Sequence, residues 1–159
     1  MKISVKSLTF IALIAAVYTV LTITFAPISY GWIQFRISEA LTILPFFTPL
    51  AIPGLTLGVL IANIYSSAGM ADLIIGPLAT LIAAIWTSKI RNKWLVPLPP
   101  IIINAVMIGM MLGILFSSEV TIPLAMLWVG IGELGVLYLL GMPLLLALEK
   151  RKNLFDQYR

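Results

Sequence analysis

The chain has 159 residues, of which 61% are hydrophobic and only 10% charged, with a mean hydropathy of +1.11. A soluble domain carries about 25% charge, so this composition excludes one and indicates an all-α integral membrane protein, a single domain over residues 1–159. The net charge of +4 fits membrane topology and attraction to anionic lipid and does not point to nucleic acid.

The first apolar run, from Ser7 to Phe25, has about the length a bilayer requires. It is too long for a signal-peptide core and reads as a retained helix. Pro27 and Tyr30-Gly31 mark a loop. The next stretch, Gln34 to Ser66, is interrupted by Pro45, Pro49, Pro53 and Gly54. It reads as two short helices joined by a proline-rich inner turn, with a re-entrant hairpin as the alternative. A fourth helix is expected from Ala71 to Ser88, ended by the polar run Lys89 to Trp94. A fifth spans Pro100 to Phe116, and a sixth runs from Pro123 to Leu148 into a basic tail. Trp86 and Trp94 flank the inner break, as an interfacial belt does.

Nine of the ten basic residues fall at one face of this six-helix arrangement: Lys2, Lys6, Lys89, Arg91, Lys93, Lys150, Arg151, Lys152 and Arg159. The positive-inside bias makes that face, with both termini, cytoplasmic. Arg36 is the exception, and Glu39, Asp72, Glu119 and Glu133 accompany it in the outer half. Charge in or near lipid is costly and marks function, so an outward-facing binding site is expected. No internal repeat divides the six helices, which argues against a stand-alone inverted-repeat transporter. A chain this small reads as one component of an assembly, or as an oligomer.

Counting 1.5 Å per residue from the expected helix ends gives depths. Arg36 and Glu39 lie near the outer surface, Asn63 and Tyr65 near the outer end of the third helix, and Asp72 at the start of the fourth. Asn104 is close to mid-membrane, and Glu133 is about 15 Å deep. Structural roles compete at most of these positions. Arg36 and Glu39, at i and i+3, can pair with each other. Asp72 can cap a helix, and Asn63 and Asn104 can bond helices together. Glu119 reads as solvated loop. Glu133 is the strongest functional candidate, because a carboxylate that deep needs a partner or ligand, and Gly130, Gly132 and Gly135 permit close approach. Small-xxx-small spacings at Ala12/Ala16, Gly54/Gly58 and Gly109/Gly113 are expected to pack helices.

The absence of cysteine and histidine excludes thiol catalysis, disulfides and the common soft-metal sites, and no cofactor or metal is expected. There is no P-loop, zinc-protease motif or nucleophile elbow. An integral-membrane enzyme using Glu133 as an acid or base, and a purely structural membrane protein, are the rival classes.

The run Tyr30-Gly-Trp-Ile-Gln-Phe-Arg-Ile-Ser-Glu-Ala-Leu-Thr-Ile-Leu-Pro resembles the QueT family of queuosine-precursor transporters. So do Ile52-Pro-Gly-Leu-Thr-Leu-Gly, Asp72-Leu-Ile-Ile-Gly-Pro-Leu-Ala-Thr-Leu, Gly132-Glu133 and Leu140-Gly-Met-Pro-Leu. The resemblance implies a substrate-binding (S) component of an energy-coupling factor transporter, with an outward pocket capped by the loop after the first helix. It implies a transmembrane coupling subunit and two cytoplasmic ATPases as partners, with Ala12 and Ala16 meeting the coupling subunit. The implied cargo is a 7-deazaguanine. Glu133 or Glu39 would accept its paired N–H donors, and Asp72 would take a cationic arm. Gln34, Asn63 and Asn104 would read the O6 and ring-nitrogen edge, and Phe35, Tyr65 or Trp128 would stack on the ring. Arg36 completes the expected site.

Overall fold

The structure is a computed structural model that describes residues 4–158, with side chains to Phe155. Lys2 and Arg159, two of the cations assigned to the inner face, lie outside the described residues. The fold is all-helical, with no strand among the described residues. The α-helices are α1 (Val5–Thr24), α2 (Ala26–Ser29), α3 (Ala51–Ala62), α4 (Met70–Thr87), α5 (Leu98–Leu115), α6 (Ile122–Val136) and α7 (Met142–Glu149).

Four segments are long and apolar enough to cross a membrane: Val5–Thr24, Met70–Thr87, Lys93–Leu115 and Ile122–Glu149. Two shorter apolar segments, Ile37–Phe46 and Ala51–Tyr65, lie between the first and second of these. The short pair expected from the prolines is therefore present, with two corrections. Pro53 and Gly54 lie inside the first turn of α3, so the connecting turn is only residues 47–50. The segment Ile37–Phe46 is wound as a 3-10 helix over all ten of its residues, where such runs seldom exceed four.

Pro45 bars a regular α-helix at the end of this segment, because in one its ring would press on the carbonyl of Leu41, and it offers no N–H. The tighter helix rises about 2.0 Å per residue against 1.5 Å, so ten residues extend about 20 Å rather than 15 Å. A second irregularity interrupts the last long helix. Residues Leu137–Gly141 form a π-turn in which the Met142 N–H reaches back to the Leu137 carbonyl. Pro143, one residue further on, cannot donate to the Leu139 carbonyl, and the widened turn relieves that clash.

Two apolar cores lie at opposite ends of the bundle. One gathers Ile14, Ile43, Phe47, Leu55, Val96, Leu145 and Phe155. The other gathers Ile108, Leu112, Val120, Ala125 and Val129, with Phe116 and Trp128 packed against it. Phe155 stacks on Phe47 at 5.0 Å and meets Phe10 edge-on at 6.4 Å, so the start of α1 and the C-terminal segment share one end.

Two of the three small-residue spacings pack helices as expected. A Cβ on Gly54 would stand 2.9 Å from the Ile11 carbonyl oxygen, and one on Gly58 would stand 2.8 Å from the Tyr18 Cβ, so α3 lies directly on α1. Gly109 and Gly113 admit the backbone of Met126 and Ile122 in the same way. Ala12 and Ala16 differ, being exposed on the outside of α1.

Candidate functional site

Between the two apolar cores lies a buried polar cluster drawn from every long segment. Tyr18 of α1 donates its hydroxyl proton to Glu39 Oε1 on the 3-10 helix. One turn further along α1, the Thr22 and Ser38 hydroxyls pair at 2.6 Å. Asn104 of α5 donates from Nδ2 to Glu133 Oε1 of α6 at 2.7 Å. Asn63, at the end of α3, donates to the Asp72 carbonyl of α4 at 2.9 Å. The Arg36 guanidinium sits 5.4 Å from the centre of the Tyr30 ring, within cation–π range. It also feels the charges of Asp72 and Glu39. Glu133 and Glu39 are close enough to repel each other.

The arrangement leaves hydrogen-bonding capacity unused. Arg36 Nε and Nη2, Glu39 Oε2, Asn63 Oδ1, both Asp72 carboxylate oxygens and Glu133 Oε2 are buried without a partner. Their residues are all 5% exposed or less. A buried unpaired charged group costs several kcal/mol, and native proteins tolerate few of them. Together these atoms have the capacity to accept from several N–H donors and to donate to at least one acceptor. Three carboxylates against one guanidinium also leave two negative charges uncompensated when all are ionised, which favours a cation.

The structural alternatives weighed from sequence are met only in part. Glu39 takes its hydrogen bond from Tyr18 and not from Arg36. Asp72 caps nothing: Gly69 is the N-cap of α4, with no side-chain cap, and the Asp72 carboxylate stays unpaired. Asn63 does bond helices together, yet keeps Oδ1 free. Glu119 is exposed, as expected of a solvated loop.

Of the expected site residues, Arg36, Glu39, Asn63, Asp72, Asn104 and Glu133 converge. Tyr65 does not. It is 67% exposed and stands outside the cluster, which corrects the expectation that it stacks on a ligand. Trp128 is half-buried and packs on Trp32, with ring centres 6.0 Å apart.

A cavity of about 230 Å³ is lined by Tyr30, Gly31, Trp32, Ser67, Leu112 and Phe116. Tyr30 belongs to both regions: its ring lies against Arg36, and its hydroxyl donates to the Ala62 carbonyl at 2.6 Å. Tyr18, Tyr30 and Trp32 were not among the residues expected from sequence. Tyr18 carried one signal, as the only tyrosine in α1.

The loop over the cluster is seated by glycines. Gln34 is buried with a left-handed φ of 48°, a conformation uncommon for residues other than glycine, asparagine and aspartate. A Cβ on Gly132 would strike the Ile33 carbonyl oxygen, and one on Gly135 would lie 3.0 Å from the Phe35 ring. The 33–35 segment therefore rests directly on the α6 backbone beside Glu133. Gly132→Ala is expected to lift this segment at a cost of about 1–3 kcal/mol, read as roughly a fivefold or greater loss of ligand affinity. A melting temperature lowered with affinity unchanged would contradict that placement of the loop.

Residues 8–150 match the family model described as QueT transporter. A protein of Lactococcus lactis subsp. cremoris (strain MG1363) named queuosine precursor transporter QueT is 45% identical over 74 residues. That match spans 45% of this chain and 43% of the relative's length. No solved structure matches. The family match covers most of the chain, and the described residues hold four helices long and apolar enough to cross a membrane. The chain belongs to the QueT transporter family.

Proposed function

We propose that this chain is the substrate-binding component of an energy-coupling factor importer, and that it captures a queuosine precursor of the 7-deazaguanine class from outside the cell. The observation that carries the reading is the set of buried, unpartnered donors and acceptors on Arg36, Glu39, Asp72 and Glu133. A deazaguanine offers adjacent N–H donors at N1 and the exocyclic amine, which a carboxylate accepts as a forked pair. Glu133 or Glu39 takes that role in this reading. The Arg36 guanidinium donates to O6, and the Asn63 amide oxygen accepts from a remaining N–H. Asp72 receives the ammonium of an aminomethyl arm, consistent with the surplus of negative charge. Tyr30, Trp32, Phe35 and Trp128 provide the flat surfaces.

In this reading the chain crosses the bacterial plasma membrane six times, with both termini inside. The 3-10 helix and α3 serve as the second and third crossings, the former made long enough by its winding. The cations Lys6, Lys89, Arg91, Lys93, Lys150, Arg151 and Lys152 then share the cytoplasmic side, in keeping with the positive-inside bias. Ala12 and Ala16, exposed with Leu13, Val17 and Val20 along α1, meet the transmembrane coupling subunit. Two cytoplasmic ATPases supply the hydrolysis for which this chain has no P-loop.

Uptake tests the whole assignment. Labelled 7-aminomethyl-7-deazaguanine should accumulate in cells that express this chain with the coupling subunit and both ATPases, and stay at background when any one is omitted. Accumulation of riboflavin or a pyrimidine in its place would assign a different flat heterocycle. Uptake by this chain without ATPases would contradict the division of labour.

A further inference from the structure

Tyr18 is fully buried midway along α1, and its aromatic ring belongs to the apolar core with Ile14, Leu55 and Val59. Its hydroxyl leaves that core to reach Glu39 Oε1, while Glu39 Oε2 stays buried and unpartnered. A carboxylate held at one oxygen by a fixed donor has the direction of its other oxygen fixed as well. The tyrosine is itself held firmly. Gly58 lies against its Cβ, and α1 is tied again by the Thr22–Ser38 hydroxyl pair and by Thr19 donating to the Gly58 carbonyl at 3.0 Å. Phenylalanine would fill the same space and satisfy the same core, so packing alone does not call for the hydroxyl.

We propose that Tyr18 is a positioning residue of the ligand site: by donating to Glu39 Oε1 it holds Oε2 toward the ligand's N–H donors. This rests on the reading that the buried cluster binds a nitrogen base. Tyr18 touches no ligand itself and acts through Glu39.

The test is a double-mutant cycle on the full-length protein in detergent, titrated with 7-aminomethyl-7-deazaguanine by tryptophan fluorescence, with thermal midpoints measured alongside. Tyr18→Phe is expected to weaken binding about tenfold, the size of one lost hydrogen bond to a charged group. In a Glu39→Gln background the same change should cost nothing further, because the two residues act as a unit. Leu145→Ala removes buried packing in the apolar core, at a residue outside the polar cluster. It should lower the thermal midpoint at least as far while leaving affinity within about twofold.

Affinity unchanged in Tyr18→Phe, additive losses in the double variant, or an equal affinity loss in Leu145→Ala would each overturn the positioning role. Wild type that binds no deazaguanine would instead defeat the ligand reading, and this proposal with it. Should Tyr18→Phe fail to fold, the ligand-induced infrared difference spectrum of wild type decides the matter. A tyrosine C–O band that shifts together with the carboxylate band removed by Glu39→Gln supports the role, and no tyrosine shift overturns it.

Discussion

Glu133→Gln is expected to weaken binding of 7-aminomethyl-7-deazaguanine by about 100-fold while the protein remains folded. The two side chains have the same shape, and the glutamine carbonyl can still accept from Asn104 Nδ2, which now bonds Glu133 Oε1 at 2.7 Å. What changes is the other oxygen, which is buried and unpartnered. It becomes an amide donor facing ligand N–H donors, so a charged hydrogen bond is replaced by two groups that cannot pair. Hydrogen bonds to charged groups are worth about 1.5–3 kcal/mol, and a buried polar group left unpaired adds to that loss. Calorimetric titration of the purified variant measures it. Affinity equal to wild type in a folded variant would move the base-gripping role to Glu39 or Asp72.

Arg36→Met acts on stability as much as on binding. Arg36 is the lone cation among Glu39, Asp72 and Glu133 in the cluster, and its guanidinium is buried. Methionine fills similar space but removes the compensating charge, leaving three carboxylates with no opposite charge between them. Removing one partner from a buried charge group costs about 3–5 kcal/mol, so the variant should melt well below wild type and yield poorly. Glu39→Gln in the same chain should restore part of the loss, because one of the uncompensated charges goes with it. A variant as stable as wild type would show that the carboxylates do not depend on Arg36.

The helix ends were largely legible because the sequence stops each apolar run with prolines or a charge cluster. Expected Ala71–Ser88 became Met70–Thr87, and expected Pro100–Phe116 became Leu98–Leu115. The winding was not legible. Pro45 marked an interruption, but a proline within a short apolar run is compatible with a kink, a turn or a 3-10 helix, and tertiary packing chose among them. The π-turn before Pro143 was missed for the same reason.

For the site, counting residues along a helix gives position along its axis and says little about direction around it. Tyr65 has the right depth but points out of the bundle, while Asn63, two residues earlier, points in. Tyr18 shows the converse. Its place in a helix read simply as a hydrophobic span concealed a hydroxyl turned to Glu39. The pairing of Arg36 with Glu39, which their i, i+3 spacing allowed, gave way to Tyr18: Arg36 precedes the 3-10 helix in extended backbone, so the two do not share a helical face.

The most direct measurement is calorimetric titration of the purified wild-type protein with 7-aminomethyl-7-deazaguanine, with guanine and riboflavin as comparisons. The buried cluster predicts saturable one-to-one binding of the deazaguanine, weaker binding of guanine, which lacks the cationic arm, and none of riboflavin. A folded protein that gives no binding heat with the deazaguanine at several temperatures, or that prefers riboflavin, would contradict the account.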